Sequence, residues 1–81
     1  MELLGRRHCH LCQMAQQALL SSAGPLGLAV SEFDVDEDPG LARQFGGRVP
    51  VIRYRGRVLA EGEIDAGRLR PLLAAIAREP V

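Results

Sequence analysis

Cys9 and Cys12 are the only cysteines among the 81 residues, and they flank a junction where a strand-like segment gives way to a helical one. That junction constrains the fold more than any other feature of the chain. Glu2-Leu3-Leu4-Gly5 reads as a short strand. From Cys9 onward Leu11, Met14, Ala15, Ala18 and Leu19 recur at three- and four-residue spacing until Gly24-Pro25 ends the pattern. The stretch from Leu28 to Val35 mixes β-branched and aromatic residues with polar ones and reads as a second strand, closing in the acidic run Asp34, Asp36, Glu37 and Asp38.

Asp38-Pro39 is a helix start, an N-cap acceptor followed by proline at the first helical position. Leu41 and Phe45 then share a face before Gly46-Gly47 ends that short helix. Val49 to Tyr54 and Arg57 to Ala60 flank Arg55-Gly56, which predicts an antiparallel hairpin with glycine in the turn. Asp65 caps a last helix with Leu69, Leu72, Leu73 and Ile76 on its buried face. Pro71 removes a hydrogen bond inside it, which predicts a kink or restart near Arg70. The order is β-α-β-α-β-β-α: an α/β chain with a four-stranded mixed sheet, helices on both faces, and a single domain over residues 1–81.

Acidic and basic residues balance at a net charge of zero, so nothing points to nucleic acid or an anionic membrane. The basic residues are all arginine, which excludes Schiff-base catalysis and a lysine-dependent phosphate loop. Residues Met1 to Arg7 lack the apolar run of a signal peptide, and no stretch reaches membrane-spanning length. The expected setting is a reducing cytoplasm, where closely spaced cysteines are catalytic or metal-binding rather than structural staples.

A thiol at a helix start meets unpaired N–H groups and the positive end of the helix dipole, both of which favour thiolate. Cys9 is therefore the expected nucleophile, aided by Arg6, Arg7 and, when protonated, His8 or His10. Cys12, one turn further in, is the expected resolving thiol. His10 either tunes Cys9 or is simply solvated. His8, Cys9, His10 and Cys12 carry the right atoms for zinc, but sequence-adjacent residues rarely occupy neighbouring corners of one tetrahedron, and no metal ligand is assigned. Gln13 after Cys12 excludes a covalent haem motif. An X-Pro bond at Pro50, opening a strand, is a place where a cis peptide serves, and the Val49 N–H and C=O are then free to pair with an extended substrate. Arg53, Arg55 and Arg57 alternate, which predicts a shared face, either for an acidic partner or as a charged edge against aggregation. Asp34 and Asp36 are candidates for proton transfer to Cys12, with a solvated loop and helix cap as the simpler reading.

The element order, with Cys9-His10-Leu11-Cys12 opening the first helix, Asp34-Val35-Asp36, Asp38-Pro39, Val49-Pro50-Val51 and Gly62, resembles the minimal thioredoxin fold of small bacterial glutaredoxin-like proteins. That resemblance implies a thiol–disulfide oxidoreductase with Cys9 attacking, Cys12 resolving and a cis Pro50 against the pair. His10 and Arg7 are its supporting residues, and Val49, Pro50 and Gly62 its substrate-binding positions. It departs from typical glutaredoxins in having His10-Leu11 for Pro-Tyr, Arg6 for lysine, and Gly62-Glu63 for Gly-Gly. The implied partner is a protein disulfide met by a monomer with no bound cofactor, and the electron source is glutathione or a flavin reductase of the thioredoxin-reductase type. The alternatives are a metal- or iron-sulfur-binding module using the same cysteines and a catalytically silent thioredoxin-fold interaction domain.

Overall fold

The computed structural model describes residues 1–79. Its elements are β1 (Glu2–Gly5), α1 (His10–Ala23), β2 (Ser31–Asp34), α2 (Pro39–Phe45), β3 (Val51–Tyr54), β4 (Arg57–Glu61) and α3 (Ala66–Ala77), with short 3-10 turns at Gly24–Leu26 and Val35–Glu37. The sheet order is β2-β1-β3-β4. β1 runs parallel to β2 and antiparallel to β3, and β3 and β4 form the hairpin. This is the minimal thioredoxin-like arrangement, a mixed four-stranded sheet with helices on both faces.

Side-chain alternation along the strands builds two core layers. Leu3, Ile52 and Ala60 face α1 and α3, meeting Ala15, Leu19, Leu69, Leu73 and Ile76. Leu4 and Val51 face the other way and meet Phe45 of α2 together with Val35. Ahead of Leu19 the buried stripe of α1 holds only Cys12, Ala15 and Ala18, so no long side chain separates the first turns of that helix from the sheet.

Three expectations are corrected. β2 is Ser31–Asp34 rather than Leu28 to Val35. Gly27 takes a left-handed conformation, and the Leu28 N–H donates to Ala23 O at 3.1 Å, so residues 28–30 serve to leave the helix; Val35 turns into the 3-10 segment. α3 runs unbroken through Pro71. Gly67, whose carbonyl loses its partner there, is exposed and can bond to water, so the helix need not restart. Arg53 and Arg57 do not share a face: Arg53 lies over the Phe45 ring on the α2 side, whereas Arg57 reaches Glu79 beyond α3. The cause is the turn, since Arg55 and Gly56 both have positive φ and reverse the chain between the two arginines, with a register irregularity at Ile52/Arg53. Among the described residues no helix is long and apolar enough to cross a membrane.

Candidate functional site

The site lies at one end of the sheet, where the register brings four positions into a row. Gly5 is the partner of Asp34 on β2. The antiparallel pairs Leu4–Val51 and Val51–Glu61 then carry the row on through Pro50 to Gly62. The Gly62 N–H donates to Pro50 O at 2.9 Å, and Gly62 has φ +77, a conformation that L side chains rarely adopt. The Val49–Pro50 peptide is cis and Pro50 is fully buried.

From Gly5 the chain turns through Arg6, Arg7 and His8, the last in a left-handed conformation at φ 56, and delivers Cys9 as the N-cap of α1. The Cys9 sulfur accepts the Cys12 N–H at 3.2 Å. Cys9 and Cys12 are joined as a disulfide with their Cα atoms 5.1 Å apart. Cys9 is half-buried, whereas Cys12 is 8% exposed. Cys12 packs closely on Gly5: a Cβ there would stand 3.4 Å from both its Cβ and its Sγ, in van der Waals contact. His8, His10 and Leu11 are exposed around the pair.

The nearby cations are occupied by carboxylates. Arg6 pairs with Asp36 at 3.1 Å, and Arg7 lies 3.9 Å from Asp34 and 4.0 Å from Glu37. Arg48, two residues before Pro50, donates from Nε and Nη2 to one oxygen of Glu61, one residue before Gly62, at 3.1 and 2.6 Å. This clamp across the Pro50–Gly62 pairing joins residues 13 apart in sequence, and no local motif signals it. Arg68 adds hydrogen bonds to the carbonyls of Glu61 and Glu63 while Asp65 caps α3 through the Arg68 N–H. A second unforeseen feature is a cleft of about 370 Å³ beside Cys12, between α1 and β2. Among the described residues no group of three or more His, Cys, Asp or Glu side chains is arranged to hold a metal ion.

The hydrogen bond from Arg48 holds the Glu61 carboxyl below its ordinary value, with the charges of Arg48 and Arg68 adding to it against some desolvation. A depressed carboxylate contributes stability above its unfolded pKa and loses it as pH falls through its folded one. The clamp is therefore intact at neutral pH and releases only in acid. A carboxyl-carbon NMR titration should place Glu61 lower than a free glutamate, and Arg48→Gln should raise it toward the ordinary range, with the Arg68 charge still acting.

The family model described as Glutaredoxin-like domain (DUF836) matches residues 1–74. The uncharacterized protein Rv0508 of Mycobacterium tuberculosis is 36% identical over 78 residues, covering 90% of this chain and 80% of that protein. Mb0520 of Mycobacterium bovis, likewise uncharacterized, matches with the same figures. Among solved structures, the X-ray structure of the structural-genomics target protein XcR50 from X. campestris is 40% identical, with a TM-score of 0.76, covering 91% of this chain and 95% of that one.

Proposed function

The chain belongs to the Glutaredoxin-like domain (DUF836) family, and on that premise we propose that it is a thiol–disulfide oxidoreductase whose redox centre is Cys9 and Cys12. The observation that carries this reading is the placement of Cys9 as N-cap, with its sulfur accepting a backbone N–H from the first turn of α1. The same N–H and the helix dipole favour the thiolate when the pair is reduced. In the exchange, the Cys9 thiolate attacks a substrate disulfide and releases one substrate thiol. Cys12 then attacks Cys9 Sγ, closes the intramolecular disulfide and releases the second thiol. His10, exposed within the motif, and Arg7, beside it, act as supporting groups for the thiolate.

The substrate is a protein disulfide in an extended segment. Val49 lies outside both strand and helix, and among the described residues its N–H and C=O have no backbone partner. They supply the pairing edge for such a segment, with Pro50 and Gly62 forming the floor. Glutathione is the weaker candidate for electron donor: Arg6 and Arg48 are already paired with Asp36 and Glu61, and Glu63 places a negative charge beside Gly62. A flavin reductase of the thioredoxin-reductase type is the alternative donor. The protein acts as a cytoplasmic monomer without a bound cofactor.

A redox titration against glutathione buffers, counting alkylatable thiols by mass, tests this reading. The expected result is a cooperative two-electron change from two thiols to none within a monomer. Thiols that never pair within the monomer would overturn it and bring the metal-binding use of the same sulfurs to the front.

A further inference from the structure

The pairing edge at Val49 is bracketed by one ion pair. Arg48 directly precedes Val49, and Glu61 directly precedes Gly62, whose N–H donates to Pro50 O. Glu61 is the register partner of Val51, which packs against Phe45, so the pair lies on the α2 side of the sheet. There the Phe45 ring, with its centre 5.1 Å from the Arg48 guanidinium, supports the cation. Arg48 Nε and Nη2 both donate to Glu61 Oε2. Among the described residues this leaves Arg48 Nη1 and Glu61 Oε1 without a side-chain partner.

Stability alone is a weak reason for this pair. Both side chains are 43% exposed, and exposed ion pairs contribute little to folding because water already solvates each partner. What the pair alters is the charge that a substrate meets. An unpaired guanidinium next to Val49 would draw anionic disulfides, and an unpaired carboxylate there would draw cationic ones, since at physiological salt a charge is felt over about 8 Å. Bonded to each other, the two cancel. The Glu61 carboxyl is held below its ordinary value by this bond, so both partners stay charged throughout the neutral range. Glu63 and Arg68 also stand at this end, opposite in sign, with Arg68 bonded to the Glu63 carbonyl.

Resting on the exchange reaction above, we propose that Arg48 and Glu61 are its specificity-determining pair: each masks the other's charge at the Val49 edge, so a substrate disulfide is selected by backbone pairing and not by its own charge. The masking acts on the first step. There the Cys9 thiolate forms a bond to one substrate sulfur, the substrate S–S bond breaks, and the departing sulfur leaves with the electron pair and takes a proton from solvent. Cys12 then closes the disulfide, so the substrate is reduced as the dithiol is oxidised. A carboxylate-bearing small disulfide such as that of glutathione meets no unpaired cation next to Val49. The site is thereby turned away from glutathione and left to protein segments that can bond along the Val49 N–H and C=O.

The test mixes reduced protein with an excess of each of three small disulfides of different charge: anionic glutathione disulfide, neutral bis(2-hydroxyethyl) disulfide and cationic cystamine. Alkylation at timed intervals, read by mass, gives the rate of thiol loss. Each charged probe's rate is divided by that of the neutral probe, which cancels any displacement of Pro50 that slows all three. Glu61→Gln should raise the ratio for glutathione disulfide about threefold or more and lower that for cystamine. Arg48→Gln should shift both ratios the opposite way, and the double variant carrying both changes should return them to wild-type values. The shifts should fade as salt is raised. Ratios unchanged in both single variants, shifts of the same sign in both, or a glutathione gain that survives in the double variant would overturn the masking role while leaving disulfide exchange standing. A wild-type protein that loses no thiols to any of the three would overturn the exchange reading, and this inference with it.

Discussion

Replacing Cys12 with serine should produce a protein that captures disulfide-bearing partners and does not release them, whereas Cys9→Ser should lose exchange by about a thousandfold or more. The asymmetry follows from where the two sulfurs sit. Cys9 is half-buried at the helix start and accepts a backbone N–H, so it can meet a substrate and exists in part as thiolate when reduced. Cys12 is 8% exposed, packs against Gly5 and is bonded to Cys9. A serine at position 12 keeps the shape of the site but supplies no nucleophile at neutral pH, so the mixed disulfide on Cys9 persists. Non-denaturing capture followed by mass measurement, with and without reductant, reads the result directly. Trapping by Cys9→Ser in place of Cys12→Ser would mean that the roles are reversed.

The start of α1 is legible in the sequence because both of its determinants are local. Cys9 can cap the helix, and the apolar spacing that follows it is helical from Leu11 to Leu19. The hairpin is legible for the same reason, since Arg55-Gly56 is a two-residue turn between strand-like runs. The length of β2 is not, because Leu28 and Val30 look like strand residues but are drawn into the packing that follows the helix end. The same limit explains the arginines: alternation along a chain assigns faces only within one strand, and a turn lies between Arg53 and Arg57.

The site divides along the same line. Cys9, Cys12, Val49 and Pro50 stand out as short motifs. Arg48 with Glu61, and Asp34 with the cleft at Cys12, depend on which strand lies beside which and in what register. In the sequence Asp34 cannot be told from Asp36 as a partner of Cys12, and only its pairing with Gly5 turns its side chain toward α1. Asp38, in the same run, does what its sequence context indicates and caps α2 by accepting the N–H groups of Gly40 and Leu41.

Phe45→Ala should destabilise the protein by about 3–5 kcal/mol, the usual range for removing a buried aromatic side chain. A chain of this size has about 5–10 kcal/mol in total, so a large share of the fold's margin would disappear. α2 spans seven residues, too short to hold itself together, and Phe45 is its one fully packed side chain, set against Leu4, Val35 and Val51. The guanidinium groups of Arg48 and Arg53 lie 5.1 and 5.4 Å from the ring centre, so the ring also holds two cations near the sheet. Arg48 is the residue that clamps Glu61 across the Pro50–Gly62 pairing, so loosening Phe45 should disturb the substrate-binding end as well as the core. Urea unfolding of the oxidised protein provides the measurement, with Phe45→Leu expected to cost less than half as much because it refills most of the volume. Phe33→Ala is the control: Phe33 is 42% exposed on the edge strand and should change stability by about 0.5 kcal/mol or less. Equal losses at positions 45 and 33 would mean that α2 does not anchor this face of the sheet.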